Sequence, residues 1–352
     1  MIDRLLLHAS AVGVVSPAGF GAESLTQPTP PEERAMQLAS SPSRSFPFFA
    51  VDRSHPRWRA WAEEPRLRRS GGLAQFLLEA IRQALAGIDE PSRRRMGLIA
   101  AFNNGSIAHI ARFFAGYRTQ GRRFASPLLF PETVYNAATS HAAAVLGLGG
   151  PSCSIVGDES AWVEGLRMAR VWIELGHAAT VLLAASEEVT PVTLDAFRCA
   201  GWLRRSRPFR PAEGAVAVLL TAHPESALFA LEAAPESLPY TSRKELLPVA
   251  ARLARKMPSH LPVYSTAQGS WLGALEKALL GSRPVAESYP YLGEAFPVSA
   301  GWQTIRAATL LSEARPEILV PVWGSSHQLS WLHLRFVRHG ALPIPRPRRP
   351  EA

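Results

Sequence analysis

Short apolar runs alternate with amphipathic stretches along most of this chain. Residues 5–15 (LLLHASAVGVV) predict an opening strand that stops at Ser16-Pro17-Ala18-Gly19. Residues 73–86 (LAQFLLEAIRQALA) put apolar side chains at 73, 77, 78, 81 and 85, the spacing of one helix face. Residues 96–102 read as a buried strand that leaves through Asn103-Asn104-Gly105-Ser106, and residues 107–117 and 135–146 as helices. Further strands are predicted at 180–186, 215–221, 226–233, 261–265, 317–323 and 329–337, and helices at 243–256, 271–280 and 300–314. Residues 26–56, rich in Pro and Ser, read as loop, and 122–134 as a connector. The alternation implies an α/β fold with buried central strands and shows no short-period repeat.

The organising stretch runs from Gly149 to Gly176. A Gly-Gly-Pro-Ser turn leads into Cys153-Ser154-Ile155-Val156, predicted as a buried strand, and Gly157 breaks it. Asp158, Glu159 and Ser160 supply N-cap chemistry, and a helix then buries Trp162, Val163, Leu166, Ala169, Val171 and Ile173 before ending at Gly176. Strand, sharp turn and helix place one side chain at the positive end of a helix dipole. Enzymes hold nucleophiles there because the helix N-terminus stabilises an anion. Here the corner residue is Glu159, expected to stay ionised on backbone N–H groups.

With 352 residues, 47% of them hydrophobic, the chain is long enough for a large core. Two cysteines, Cys153 and Cys199, exclude a disulfide scaffold and lack metal-site spacing; no metal or cofactor is expected. The N-terminus has too short an apolar run for a signal peptide, and no run reaches the ~20 residues of a membrane span, so a cytoplasmic protein is expected. The net charge of +9 gathers at residues 66–69, 93–95, 118–123, 204–210 and 346–349. No nucleic-acid-binding motif accompanies these clusters, and an acidic protein partner suits them. Cys153 reads as a small buried hydrophobe, and Ser160 lacks the Gly-x-Ser-x-Gly elbow. His327, His333 and His339 have no metal-like spacing, and Glu187-Glu188 reads as structural.

Four segments carry a resemblance: AVGVVSPAGFGAE (11–23), SPLLFPETVYNAATSHAAAVLGLGGPS (126–152), IELGHAATVLLAASEEV (173–189) and RPFRPAEGAVAVLL (207–220). With STAQGSWLGALE and FPVSAGWQTIRAA in the last third, they resemble the β-ketoacyl synthases of the thiolase fold. The resemblance implies a thiolase-like five-layered αβαβα architecture of two pseudo-symmetric halves, residues 1–225 and a shortened 226–340, with a basic Pro-rich tail at 341–352. It also implies dimers and a Cys-His-His site, in which a thiolate takes the acyl chain and two histidines assist decarboxylation. Each catalytic position is replaced. Gly157-Asp158-Glu159 aligns with the Thr-Ala-Cys corner, so Glu159 stands at the nucleophile position. Ser265 or Thr266 stands at the first histidine and Trp302 at the second, with Pro297 at the lysine. The Gly-Phe-Gly-Gly turn becomes Gly324-Ser325-Ser326-His327. A glutamate is a poor acyl acceptor, and without imidazoles the general acid is missing.

One branch of the family resembles this pattern: the chain-length factor, a non-condensing homologue paired with an active ketosynthase, commonly with Gln at the corner. By that resemblance, Phe113, Phe114, Tyr117, Phe130, Tyr135 and Asn136 are candidates for the interface and tunnel wall. Arg118, Arg122, Arg123, Arg204 and Arg205 are candidates for docking an acyl carrier protein. Three alternatives stay open: a malonyl-carrier-protein decarboxylase using Glu159, an independent acyltransferase, and a condensing enzyme using Cys153.

Overall fold

The computed structural model describes residues 5–26, 29–67, 70–203, 209–266, 273–281, 283–285, 291–326 and 328–338. The expected tail at 341–352 lies outside them, as do Arg204, Arg205, His327 and His339.

The first 60 residues give β1 (Leu7–Ser16), the two-residue β2 (Gly19–Phe20), the hairpin β3 (Glu33–Gln37) and β4 (Ser45–Phe49), and the start of α1 (Arg57–Glu63). Next come α2 (Gly72–Ala84), α3 (Glu90–Arg93), β5 (Gly97–Phe102), α4 (Ile107–Gln120), α5 (Ala137–Leu146), β6 (Ser152–Val156) and α6 (Ala161–Glu174). The middle holds β7 (Thr180–Glu187), α7 (Pro191–Cys199), β8 (Gly214–Thr221), β9 (Phe229–Ala233) and β10 (Leu238–Pro239). The last part is α8 (Arg243–Lys256), β11 (Val263–Tyr264), α9 (Gly273–Leu280), β12 (Pro284–Val285), α10 (Pro297–Thr309), β13 (Glu317–Trp323) and β14 (Gln328–Arg335).

The main sheet has the order β12-β11-β13-β14-β9-β1-β8-β7-β5-β6. Read outward from its centre, the two sides repeat each other: β1-β8-β7-β5-β6 and β9-β14-β13-β11-β12. Strand directions repeat as well, with β5 parallel to β6 and β7, β11 parallel to β12 and β13, and the inner pairs antiparallel. The runs join where Leu7, His8 and Ala9 of β1 pair with β9. Parallel strands need long crossovers, and the helices supply them.

Helices cover both runs. The apolar face of α2 packs with α5 on the β1-β8-β7-β5 side, enclosing Phe76, Leu77 and Ile81. α8 and α9 lie on the far side of the second run, over Leu319 and Leu329. Between the runs sit α6 and α10, which touch each other and strands of both sides. That central layer is dry and large, and its fully buried Trp162 donates through Nε1 to Thr304 Oγ1 at 3.2 Å.

Three features depart from the sequence expectation. β6 is one of the sheet's two edge strands and only half-buried, because β5 pairs with it and, among the described residues, no strand pairs beyond it. The loop expected at 26–56 contains the β3–β4 hairpin, whose Phe48 is buried. The helix expected at 300–314 begins at Pro297, where proline's fixed φ suits the first helical turn, and ends at Thr309. Phe296 before it has φ 51°, the sole non-glycine residue with positive φ among the described residues. Its ring packs with Phe197, Trp202 and Phe209, which holds this costly conformation in place.

Gly13 marks where β1 and α2 approach most closely, since a Cβ there would lie 1.9 Å from Ala80 O. Gly13→Ala is expected to destabilise the fold by about 2–3 kcal/mol because backbone must move. Gly116, in α4 with open space around it, is expected to gain about 0.5–1 kcal/mol as alanine. Thermal unfolding of both variants against wild type checks the pair; equal shifts would contradict it.

Candidate functional site

The chain turns at the end of β6 because Gly157 N donates to Phe102 O and Asn103 Nδ2 to Gly157 O, which ends the strand against the β5 turn. Asp158 then points inward and is fully buried. One of its oxygens accepts from Ser160 N and Oγ, and the other from Ser326 N at 3.0 Å. Capping of α6 is therefore local, an Asx-type turn by Asp158, rather than a side-chain cap from Ser160. Glu159 is half-buried, and its Oε2 accepts from Ser325 N at 2.8 Å. The corner thus binds the turn after β13 through two consecutive carboxyls.

Burial, with Asp158 and Glu294 nearby, pushes the Glu159 pKa well above the ordinary glutamate value. Loss of water and two like charges thus oppose the ionised form expected from the helix dipole, outweighing what the N–H donors return. Glu294, in the segment before α10, accepts from Tyr291 Oη at 3.3 Å, and burial raises its pKa to about 7.

The residues that the resemblance sets at the two histidine positions are engaged in the structure. Ser265 Oγ donates to Glu276 Oε2 at 2.6 Å, and Thr266 N and Oγ1 donate to Glu276 Oε1. Trp323 Nε1 bonds the same carboxyl, so Glu276 is a buried anchor for the end of β11. Trp302 is 2% exposed, donates to Ala215 O at 3.3 Å and fills the space beside Gly214. No imidazole is present among these residues. Cys153 sits on the edge strand with its Sγ 3.3 Å from Met168 Sδ, and burial raises its thiol pKa, the opposite of an activated thiolate.

Residues 52–225 match the Beta-ketoacyl synthase, N-terminal domain family. That span contains β5, β6, the Glu159 corner, α6, β7 and β8. The fold is that of ketosynthases throughout. One solved structure, "The ishigamide ketosynthase/chain length factor", superposes with a TM-score of 0.75 at 17% identity, over 94% of this chain and 99% of that one. A second is "AntDE:AntF (apo): type II PKS acyl-carrier protein in complex with its ketosynthase bound to the hexaketide", with a TM-score of 0.68 at 16% identity, over 94% and 99%. A β-ketoacyl synthase from Burkholderia phymatum STM815 gives 0.68 at 12% identity, over 95% and 100%. No curated protein has a sequence that matches this one at a significant level.

Within this ketosynthase-type domain, the aromatic candidates are brought together on the surface. Phe113 contacts Phe114 and Phe130 edge-on or tilted, and Phe114 contacts Tyr117. Phe114, Tyr117, Phe130 and Tyr135 are exposed, Phe130 to 57%, and Asn136 is exposed beside them. An ordinary core placement of these rings is excluded. Phe113 is half-buried and lines a cavity of about 400 Å³ with Arg112, Gly116, Phe124 and Leu129. Arg118, Arg122 and Arg123 are exposed; Arg204 and Arg205 lie outside the described residues. α5 meets β6 through Thr139 and Ser154, and α6 exposes Met168, Val171 and Leu175 on the other side of the β6 edge. The result is a strand with one edge unpaired among the described residues, flanked by apolar surface.

Sequence reading missed a second polar cluster. Arg53 is held between Glu188 and Glu213 at 3.1 and 3.0 Å and faces a cavity of about 820 Å³ under the β3–β4 hairpin. Glu188 also accepts from Gly72 N and Leu73 N, capping α2, and Glu187 accepts from Asn103 and Asn104. Glu187 and Glu188 are therefore structural, and they do not form an acid–base pair. A lone carboxylate inside an apolar run, as in AEGAVAV and YLGEAF, is the signal that would have found Glu213 and Glu294.

Among the described residues no group of side chains could hold a metal, and no helix is long and apolar enough to cross a membrane.

Burial raises the pKa values of Glu187, Glu213 and Glu294 to about 7, from an ordinary 4.5. Each binds its proton more tightly folded than unfolded, so its contribution to stability is complete below 4.5 and is lost as pH rises through about 7. The melting temperature is expected to fall between pH 5.5 and 8.5, with a shallower fall in Glu294→Gln, whose amide still accepts from Tyr291. A melting temperature that rises over this range would contradict the assignment.

Proposed function

We propose that this chain is a non-condensing partner subunit of a β-ketoacyl synthase, of the chain-length-factor type. It pairs with an active ketosynthase and helps to shape the acyl tunnel while the partner performs the chemistry. The observation that carries the reading is that each catalytic position is occupied by an engaged residue. Glu159 is bound to Ser325, Ser265 and Thr266 to Glu276, and Trp302 to Ala215. The scaffold survives, while its nucleophile and imidazoles do not.

Interface features support the same reading. An edge strand with free N–H and C=O groups invites pairing with another chain, and exposed apolar surface beside it marks a contact surface. Here the β6 edge is flanked by Met168 and Val171 on one side and leads toward Tyr135 and Phe130 on the other. Phe113, Phe114, Tyr117, Phe130, Tyr135 and Asn136 are the residues assigned to the interface and tunnel wall. Arg118, Arg122 and Arg123, with Arg204 and Arg205, are assigned to the acidic carrier protein. The architecture is read as five-layered αβαβα, with residues 1–225 and 226–340 as its halves; the repeated strand order and the central α6–α10 layer support this. Two of the similar solved structures bear titles naming a ketosynthase with a chain length factor and a ketosynthase with its carrier protein.

One observation favours a second reading, decarboxylation of malonyl-carrier protein: burial and the neighbouring Asp158 and Glu294 carboxyls favour the neutral form of Glu159 at the corner. The two readings separate in one reconstitution. Incubated alone with malonyl-loaded carrier protein, the chain is expected to release no CO2 above the blank. With an active ketosynthase it is expected to support elongation that is lost when either chain is omitted. CO2 release by the chain alone, abolished in Glu159→Gln, would overturn the subunit reading and establish the decarboxylase.

A further inference from the structure

The turn after β13 presents two backbone donors to the start of α6, and both end on carboxyls of the same chain. Ser326 N reaches Asp158 Oδ2 at 3.0 Å, and Ser325 N reaches Glu159 Oε2 at 2.8 Å. The turn sits hard against the corner: a Cβ on Gly324 would lie 2.6 Å from Asp158 Oδ2 and 2.0 Å from Gln328 O. The two carboxyls differ in kind. Asp158 is fully buried and tied to Ser160 as well, so it is a fixed part of the turn. Glu159 is half-buried, longer, and crowded by the Asp158 and Glu294 carboxyls.

Crowding by like charges favours the neutral carboxyl. A neutral carboxyl accepts a hydrogen bond through its C=O oxygen, as an ester, thioester or amide carbonyl does. The Ser325 N–H is already engaged by a carboxyl oxygen that the chain itself provides.

We propose that Glu159 is an intramolecular plug: its side chain occupies the Ser325 N–H that a carbonyl-bearing ligand entering the corner would need. The wild-type corner is closed to such ligands by its own residue. The inference builds on the non-condensing reading and adds a physical role for Glu159, an autoinhibitory contact across the two sheet runs. It also predicts which substitutions are silent. Glutamine keeps the C=O acceptor and removes the acid; alanine removes the acceptor and opens the site.

Amide hydrogen exchange at Ser325, with acetamide as a small neutral carbonyl probe, tests this. In Glu159→Ala the exchange is expected to accelerate about tenfold, the scale of one lost net hydrogen bond, and acetamide is expected to restore protection saturably. Wild type and Glu159→Gln are expected to keep their protection and ignore acetamide. If Glu159→Ala does not fold, Glu159→Asp carries the same test, because the shorter acid withdraws from Ser325. Unchanged exchange at Ser325 in the variant, or an acetamide effect equal in all proteins, would overturn the plug. Binding of an active ketosynthase is measured on the same variants. Binding retained with no acetamide response sinks the plug alone, whereas no binding by wild type sinks the subunit reading.

Discussion

Trp162 of α6 and Thr304 of α10 hydrogen-bond at the centre of the molecule, between two sheet runs, and the rest of the structure depends on that buried helix pair. Each run can bury one face against α6 and α10 only because both helices are apolar around much of their circumference. α10 is buried along most of its length, and α6 buries Ala161, Trp162, Val163, Leu166 and Ala169. A tryptophan N–H in such a layer needs a partner, and Thr304, fully buried, provides it. Fixing the two helices fixes the Glu159 corner before α6 and Trp302 within α10.

That constraint also governs the residues that the resemblance sets at the family's catalytic positions. Packing at the centre tolerates no void, so each residue at a replaced catalytic position must be matched to its surroundings. Trp302 fills volume and satisfies its N–H on Ala215 O. Ser265 and Thr266 share one buried carboxyl, Glu276, with Trp323. Glu159 finds Ser325 across the seam. These contacts stabilise a fixed arrangement, and none supplies a proton shuttle or a thiolate. The proposed partner-subunit reading places the acyl chemistry on another chain, and the β6 edge offers a place for one.

Much of this was legible in the sequence. The strand–turn–helix at 152–174 follows from a β-prone run, Gly157 and an amphipathic helix, and α8 and β13 appear with the boundaries their patterns predict. The position of β6 was not legible. A short apolar run looks the same at the edge of a sheet as at its centre, and only the pairing list separates them. The β3–β4 hairpin was hidden because Pro and Ser dominate the segment, although Phe46, Phe48 and Phe49 hinted at burial. α7 was not predicted, although Thr190-Pro191, a capping threonine before a first-turn proline, is its signal, because the stretch is too short to show periodicity. For the site, Glu159, Ser265, Thr266 and Trp302 came from the resemblance, whereas Ser325 and Glu294 lie far from Glu159 in sequence. Glu276, 11 residues after Ser265, sits in a helix whose pattern does not mark it as a partner. Single-chain patterns carry no record of such pairings, and the raised pKa of Glu159 depends on them.

The central claim is that this chain completes a pair with an active ketosynthase. Its most direct test is the native mass of the chain, produced alone and together with a candidate ketosynthase, by size-exclusion chromatography with light scattering. The account predicts a 1:1 heterodimer, with the chain alone aggregated or poorly soluble because the β6 edge and its aromatic flank stay uncovered. A stable homodimer that does not exchange with any ketosynthase would contradict it.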